Sequence, residues 1–175
     1  MSKKIKIWEI CGFIFTTSLG TLLHFMYEWS GKNSLVALFS NVNESTWEHM
    51  KLLFFPAFIF AIIQSFFFKD RNDFWYIKLK GTVLGLVLIP VIFNLFNGII
   101  GKSTDWINIM IFVVSVASIY IYETKLFDKY NELHLSNKSS IFIFILIAIL
   151  FGVFTFYTPH LAIFLDKSTN EYGVN

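Results

Sequence analysis

Five stretches of this 175-residue chain stay apolar around their whole circumference for the length of a bilayer-crossing helix. They run over about 7–29, 47–68, 77–100, 106–122 and 141–159. A hydrocarbon core about 30 Å thick takes roughly 20 residues of helix to cross. A helix in water needs only one apolar stripe to face its core. With 55% hydrophobic, 19% aromatic and only 15% charged residues, the chain lacks the polar faces that five such helices would need in water. The expected fold is therefore all-α: a polytopic membrane helix bundle of about five transmembrane helices. It is expected to form a single integral-membrane domain over 1–175, multi-pass in the cell membrane.

The short connections set the orientation, because basic loop residues stay on the cytoplasmic side. With the N-terminus inside, Lys3, Lys4, Lys6, Lys69, Arg71, Lys78, Lys80, Lys125, Lys129 and Lys138 fall inside, and only Lys32, Lys51, Lys102 and Lys167 fall outside. That bias of ten against four predicts N-terminus inside and C-terminus outside. The opening MSKKIK and its apolar run are expected to be a retained first helix: the run is too long for a signal core, and no small-x-small site closes it. The single cysteine, Cys11, excludes an internal disulfide and a CxxC motif, and is expected to be packed inside the first span. A formal charge of +2, spread in short flanking clusters, gives no case for nucleic acid. No GxSxG elbow, HExxH, phosphate loop or dinucleotide fingerprint occurs, which removes soluble-type hydrolase, kinase and dehydrogenase readings.

Between the first two spans, SLVALF (Ser34 to Phe39) is apolar but much too short to cross, so an outer interfacial or re-entrant segment is expected there. The eleven residues NVNESTWEHMK that follow gather two carboxylates, a histidine, two asparagines and a lysine. The orientation puts this stretch at the outer boundary, together with residues from other helix ends. His24 and Glu28 are four apart and share a helix face, which Thr17, Gly20 and Thr21 continue inward. Asn94 and Asn97 approach the outer end of the third span, and His160 and Asp166 follow the fifth. Asn43, Ser45, Glu44, Glu48, His49 and Lys51 complete the candidate site. Ionisable groups at membrane depth are costly, and by default they mark a functional site. His24, His49, His160 and Asp166 are of the kinds that ligate zinc or another divalent metal, and His24, Glu28, Glu44, His49 and His160 are candidate catalytic groups.

Each has a plainer reading. STWE (Ser45 to Glu48) matches a capping box, with Ser45 capping the second helix and Glu48 returning to the Ser45 backbone N–H. His24 and Glu28 can tie helices together without a metal. Asn94 and Asn97 fit interhelical hydrogen bonding, and Gln64 an interhelical contact. Glu9 is placed to pair with Lys78 or Lys80, and His134 to be solvated in an inner loop. Pro56 and Pro90 read as kinks and Pro159 as the stop of the fifth helix. Trp29, Trp47, Trp75 and Trp106 fit an aromatic belt.

The stretch from Gly20 to Pro56, with VNESTWEHMK inside it, resembles a family of small bacterial multi-pass membrane proteins of unknown function, as does TPHLAIFLDKSTNEYGV (Thr158 to Val174). That resemblance implies a membrane location and no particular activity. In residue kinds alone (His24, Glu44, Ser45, His49, His160 and Asp166), the chain is more distantly similar to membrane metal hydrolases of the alkaline ceramidase type. Three function classes follow. One is a metal-dependent hydrolase or transferase on lipid-like substrates at the outer leaflet. Another is a protein that binds or transports a cation, a lipid headgroup or another small polar ligand. The third is a structural or accessory subunit with no chemistry of its own. The bilayer is the one partner the sequence names.

Overall fold

The computed structural model describes residues 3–99, 105–129 and 135–174. Lys102 and His134, assigned to opposite sides of the membrane above, lie outside the described residues. The chain forms α1 (Lys3–Trp29), α2 (Ser34–Ala37), α3 (Thr46–Ser65), α4 (Phe74–Ile99), α5 (Asp105–Phe127) and α6 (Asn137–Phe156). All but the one-turn α2 are long and apolar enough to cross a membrane, so the protein is an all-α membrane bundle. Its tail adds a 3-10 turn, Ala162–Phe164, and a minimal antiparallel hairpin of β1 (Leu165–Asp166) and β2 (Glu171–Tyr172).

α3 is the central element, and α1, α4, α5 and α6 all pack on it. Its Leu53, Phe54 and Ala61 are fully buried, and the core continues through Val116, Ile119, Phe144 and Phe151 of α5 and α6. α1 buries Ile5, Glu9, Gly12, Thr16, Gly20, Leu23 and Tyr27, spaced three or four apart along one face. Small residues on that face let backbones approach, which is how helices gain packing energy where lipid competes equally for apolar surface. A Cβ built on Gly12 would stand 2.3 Å from the Tyr120 ring of α5, and one on Gly20 2.5 Å from the Leu52 carbonyl oxygen of α3.

Several expectations need correction. Cys11 is exposed, because it falls off the 5-9-12-16 stripe of α1. Thr21 is likewise exposed and bonds back to Thr17 of its own helix. α5 runs on to Phe127, past the expected end at 122, and α6 stops at Phe156, before Pro159. As the expected spans require, α3 and α4 continue through Pro56 and Pro90. Trp29 and Trp106 are exposed at helix ends, whereas Trp47 packs inward against Phe151 and Phe164, and Trp75 against Phe74 and Phe144. The Phe164 contact seats the tail on the end of the bundle where α1 finishes and α3 begins.

Candidate metal centre

The site begins with a reversal after α1. Gly31 and Lys32 both take positive φ (67° and 61°), and the Gly31 and Lys32 amides close on the last carbonyls of the helix. Asn33 then caps α2 by accepting from the Leu35 amide at 2.8 Å. The Ser40 hydroxyl accepts from the Tyr27 N–H and donates to the Leu23 carbonyl, the two groups a regular helix joins to each other. This staple brings the chain back along α1 and lays Asn41 beside His24.

Four residues then set the entry to α3. Asn43 Oδ1 accepts from the Ser45 N–H (2.9 Å) while its Nδ2 donates to the Gly173 carbonyl (2.9 Å). The Glu44 N–H donates to Asp166 Oδ2 at 3.0 Å. The tail hairpin therefore holds Glu44 in place, and Asp166 is itself held by the Ser168 N–H at 2.7 Å. Ser45 caps α3 as expected, accepting from the Glu48 N–H at 3.3 Å. The other half of the capping box is absent: Asn43 has taken the Ser45 N–H, and Glu48 accepts instead from the Val42 N–H at 3.0 Å.

His24, Glu44 and His49 converge here, each offering one ligand atom within 4.8 Å of the others. His49 Nε2 lies 3.4 Å from Glu44 Oε2, and His24 Nε2 lies 4.0 Å from Glu44 Oε1. The two imidazoles meet edge to face, centroids 5.7 Å apart. What their other nitrogens do is more telling. His24 Nδ1 faces the Asn41 side-chain oxygen at 3.2 Å, and His49 Nδ1 faces the Ser45 carbonyl at 2.9 Å. Both neighbours are acceptors, so each Nδ1 carries the proton. Each Nε2 is then left facing the same carboxylate: a neutral ring keeps a free lone pair there for a cation, and a protonated His49 donates from Nε2 to Glu44 instead. This is how metal-binding histidines are oriented by their outer partners. The hydrogen bond from His49 holds the Glu44 carboxyl below its usual range; burial and Asp166 oppose this, and charge on His49 and His24 favours it.

Beside the cluster is a small cavity of about 20 Å³, lined by Glu44, His49, Ile89, Phe93, Asn108 and Phe112. That is room for one water. Asn108 Oδ1 is buried with no hydrogen-bond partner among the described residues, so an acceptor stands on the cavity wall.

The remaining candidates fall elsewhere. Glu28 is exposed beyond the last turn of α1 that faces the bundle, outside the triad. His160 is exposed and packs on the Tyr172 ring, 4.6 Å between centroids. Asp166 acts one step back, through the Glu44 backbone. Asn94 is exposed, and Asn97 donates to the Phe93 carbonyl of its own helix. Glu48 and Lys51 form a separate, fully buried pair at 2.6 Å beneath the site. Lys51 also donates to the Ala37 carbonyl and to Thr155 Oγ1, both at 2.8 Å. Asn41 and Asn108 were not singled out from sequence. Asn41 stood inside the polar stretch, but nothing in its spacing ties it to His24, seventeen residues away.

A family model, described as a family of unknown function (DUF6512), matches residues 1–174. The chain belongs to the DUF6512 family. As a DUF6512 member it matches no curated protein and no solved structure. The family assignment gives the site no chemistry.

Proposed function

We propose that this DUF6512 protein binds a divalent metal ion, zinc by ligand kind, through His24 Nε2, His49 Nε2 and the Glu44 carboxylate at the extracytoplasmic face of the cell membrane. The observation that carries the reading is the pair of Nδ1–H groups tied to Asn41 and Ser45, which leaves both Nε2 atoms facing one carboxylate. Two histidines and a glutamate are one of the ligand sets of catalytic zinc, which keeps a fourth position for water. Such an ion supplies an acidified water, able to attack an ester or amide near neutral pH. The protein's own part is to orient the imidazoles, fix Glu44 from Asp166, and offer Asn108 Oδ1 to a water in the adjoining cavity. This arrangement supports a hydrolase or transferase acting on a lipid-like substrate. The side chains of His24 and Glu44 are 33% and 49% exposed, so a headgroup has access to the ion. The excess of Lys and Arg at the opposite end supports placing this face outside.

Metal analysis of the purified full chain tests the reading. One zinc per chain is expected in the wild type, and none in a His24→Ala/His49→Ala variant that keeps its helical circular dichroism. If the wild type carries no metal and takes up none on zinc titration, the cluster is an ion-paired clasp and the proposal fails. Asn41→Ala, which leaves all three ligands in place but removes the His24 acceptor and a long 3.4 Å donor to Glu44 Oε1, is expected to weaken zinc about 10–100-fold by competition against a chelator. Unchanged affinity there would show that His24 needs no outer partner.

A further inference from the structure

A second buried group of ionisable residues lies at the other end of the bundle, where no ligand of the metal centre reaches. Glu9 (α1), Gln64 (α3), Lys78 (α4) and Glu123 (α5) are each 2% exposed or less. Lys78 Nζ contacts Glu123 Oε2 and stands 3.7 Å from Glu9 Oε2. Gln64 Nε2 donates to Glu9 Oε1 at 2.8 Å. Tyr120 faces the same space, with its ring under the Lys78 ammonium at 5.0 Å and its hydroxyl 2.5 Å from Thr16 Oγ1. The Glu9–Lys78 pair and the Gln64 contact were expected from sequence; Glu123 was not.

The group does not close as a set of ions. Two carboxylates share one ammonium, which leaves one negative charge in excess in a buried group. Lys80, the next basic residue of α4, lies instead over the Tyr76 and Tyr122 rings. Two carboxylate oxygens, Glu9 Oε2 and Glu123 Oε1, are buried with no hydrogen-bond donor among the described residues, Glu9 Oε2 having only the Lys78 ammonium at 3.7 Å. An uncompensated charge at this depth is costly, and so is an unpaired acceptor. One proton removes both faults: it neutralises the excess charge and turns one carboxyl into a donor for the other.

We propose that Glu9 and Glu123 hold one exchangeable proton between them, with Lys78 as fixed counter-charge, so that this end of the bundle is a proton-binding site. The route assigned to exchange is a cleft of about 360 Å³ between α1 and α5, lined mostly by apolar side chains such as Ile10, Phe13, Ala117 and Ile121, with Lys6 and Thr124 beside Glu9. Intramembrane carboxylates placed in this way are the building blocks of proton relays.

Infrared spectroscopy of the full chain in lipid nanodiscs is the test. At neutral pH the wild type should show the C=O stretch of a protonated carboxylic acid, clear of the amide and carboxylate bands, and it should shift in D2O. Glu9→Gln and Glu123→Gln should each abolish the band while preserving helical circular dichroism. Ala117→Leu, which narrows the cleft, should keep the band and slow its shift in D2O. A wild type with no such band, or a band that survives both glutamine variants, overturns the proposal. Thermal stability that rises with sodium chloride but not with choline chloride, in the absence of the band, overturns it in favour of a bound alkali cation. An unchanged D2O rate in Ala117→Leu overturns the cleft as the route.

Discussion

Lys51→Met is expected to destabilise the protein by about 3–5 kcal/mol, because it removes one partner of a buried ion pair and leaves the other. The Lys51 side chain has no exposure at all, and its ammonium sits 2.6 Å from Glu48 Oε2. Without it Glu48 keeps only the Val42 N–H and the Thr155 hydroxyl, too little for a desolvated carboxylate. The Ala37 carbonyl loses its donor as well, so the segment between α1 and α3 is loosened at two points. Met matches the length of the lysine stem, so the loss is one of charge and hydrogen bonds rather than of volume. Denaturant unfolding in a fixed detergent measures it. The double variant Glu48→Gln/Lys51→Met should recover a large part of the loss, since no lone charge is left behind. A single variant within about 0.5 kcal/mol of wild type would mean that water reaches Glu48, contrary to its burial.

That pair also shows where reading the sequence succeeded and where it stopped. The five spans were legible because hydropathy over twenty residues does not depend on what the helix touches. Their ends were less so. α5 continues through Glu123 and Lys125, since a helix can outlast its apolar stretch when a carboxylate finds an ammonium on a neighbour. Glu123 was therefore read as loop, and the network at that end lost its second carboxylate. At the His24–Glu44–His49 cluster, the residue kinds and the Ser45 cap were visible, and so were His24 and His49. The partner of His24 was not. Helix periodicity relates a residue only to its neighbours on the same helix, so it offered Glu28. Glu44 reaches His24 because Ser40 staples the intervening chain to α1 and Asp166 holds the Glu44 amide. Both contacts span tertiary distance and leave no local pattern. The same holds for Glu48, whose return to Ser45 was displaced by an asparagine two residues before the cap.

Gly20→Val is expected to damage the proposed metal centre from a position that contributes no ligand. A Cβ at residue 20 would meet the Leu52 carbonyl oxygen at 2.5 Å and the tip of the Phe112 ring at 2.6 Å. The ring can rotate aside, but the carbonyl belongs to the α3 backbone and cannot, so α1 and α3 must separate. His24 lies one turn further along α1 on the same face, and His49 one turn before Leu52 on α3. The wedge therefore opens the two helices at the level of the site. Overpacking of this kind costs about 1–3 kcal/mol. Ligand displacement should weaken zinc at least as much as loss of an outer partner, about 10–100-fold. Gly98→Ala is the matched control, because nothing stands within 4 Å of a Cβ there. It should leave both zinc affinity and stability near wild type, or raise stability slightly. If Gly20→Val keeps wild-type zinc affinity while losing stability, His24 is not held through the α1–α3 contact, and the ion would have to be carried by Glu44 and His49 alone. If both quantities fall together, the close approach at Gly20 is what brings the two histidines to one carboxylate.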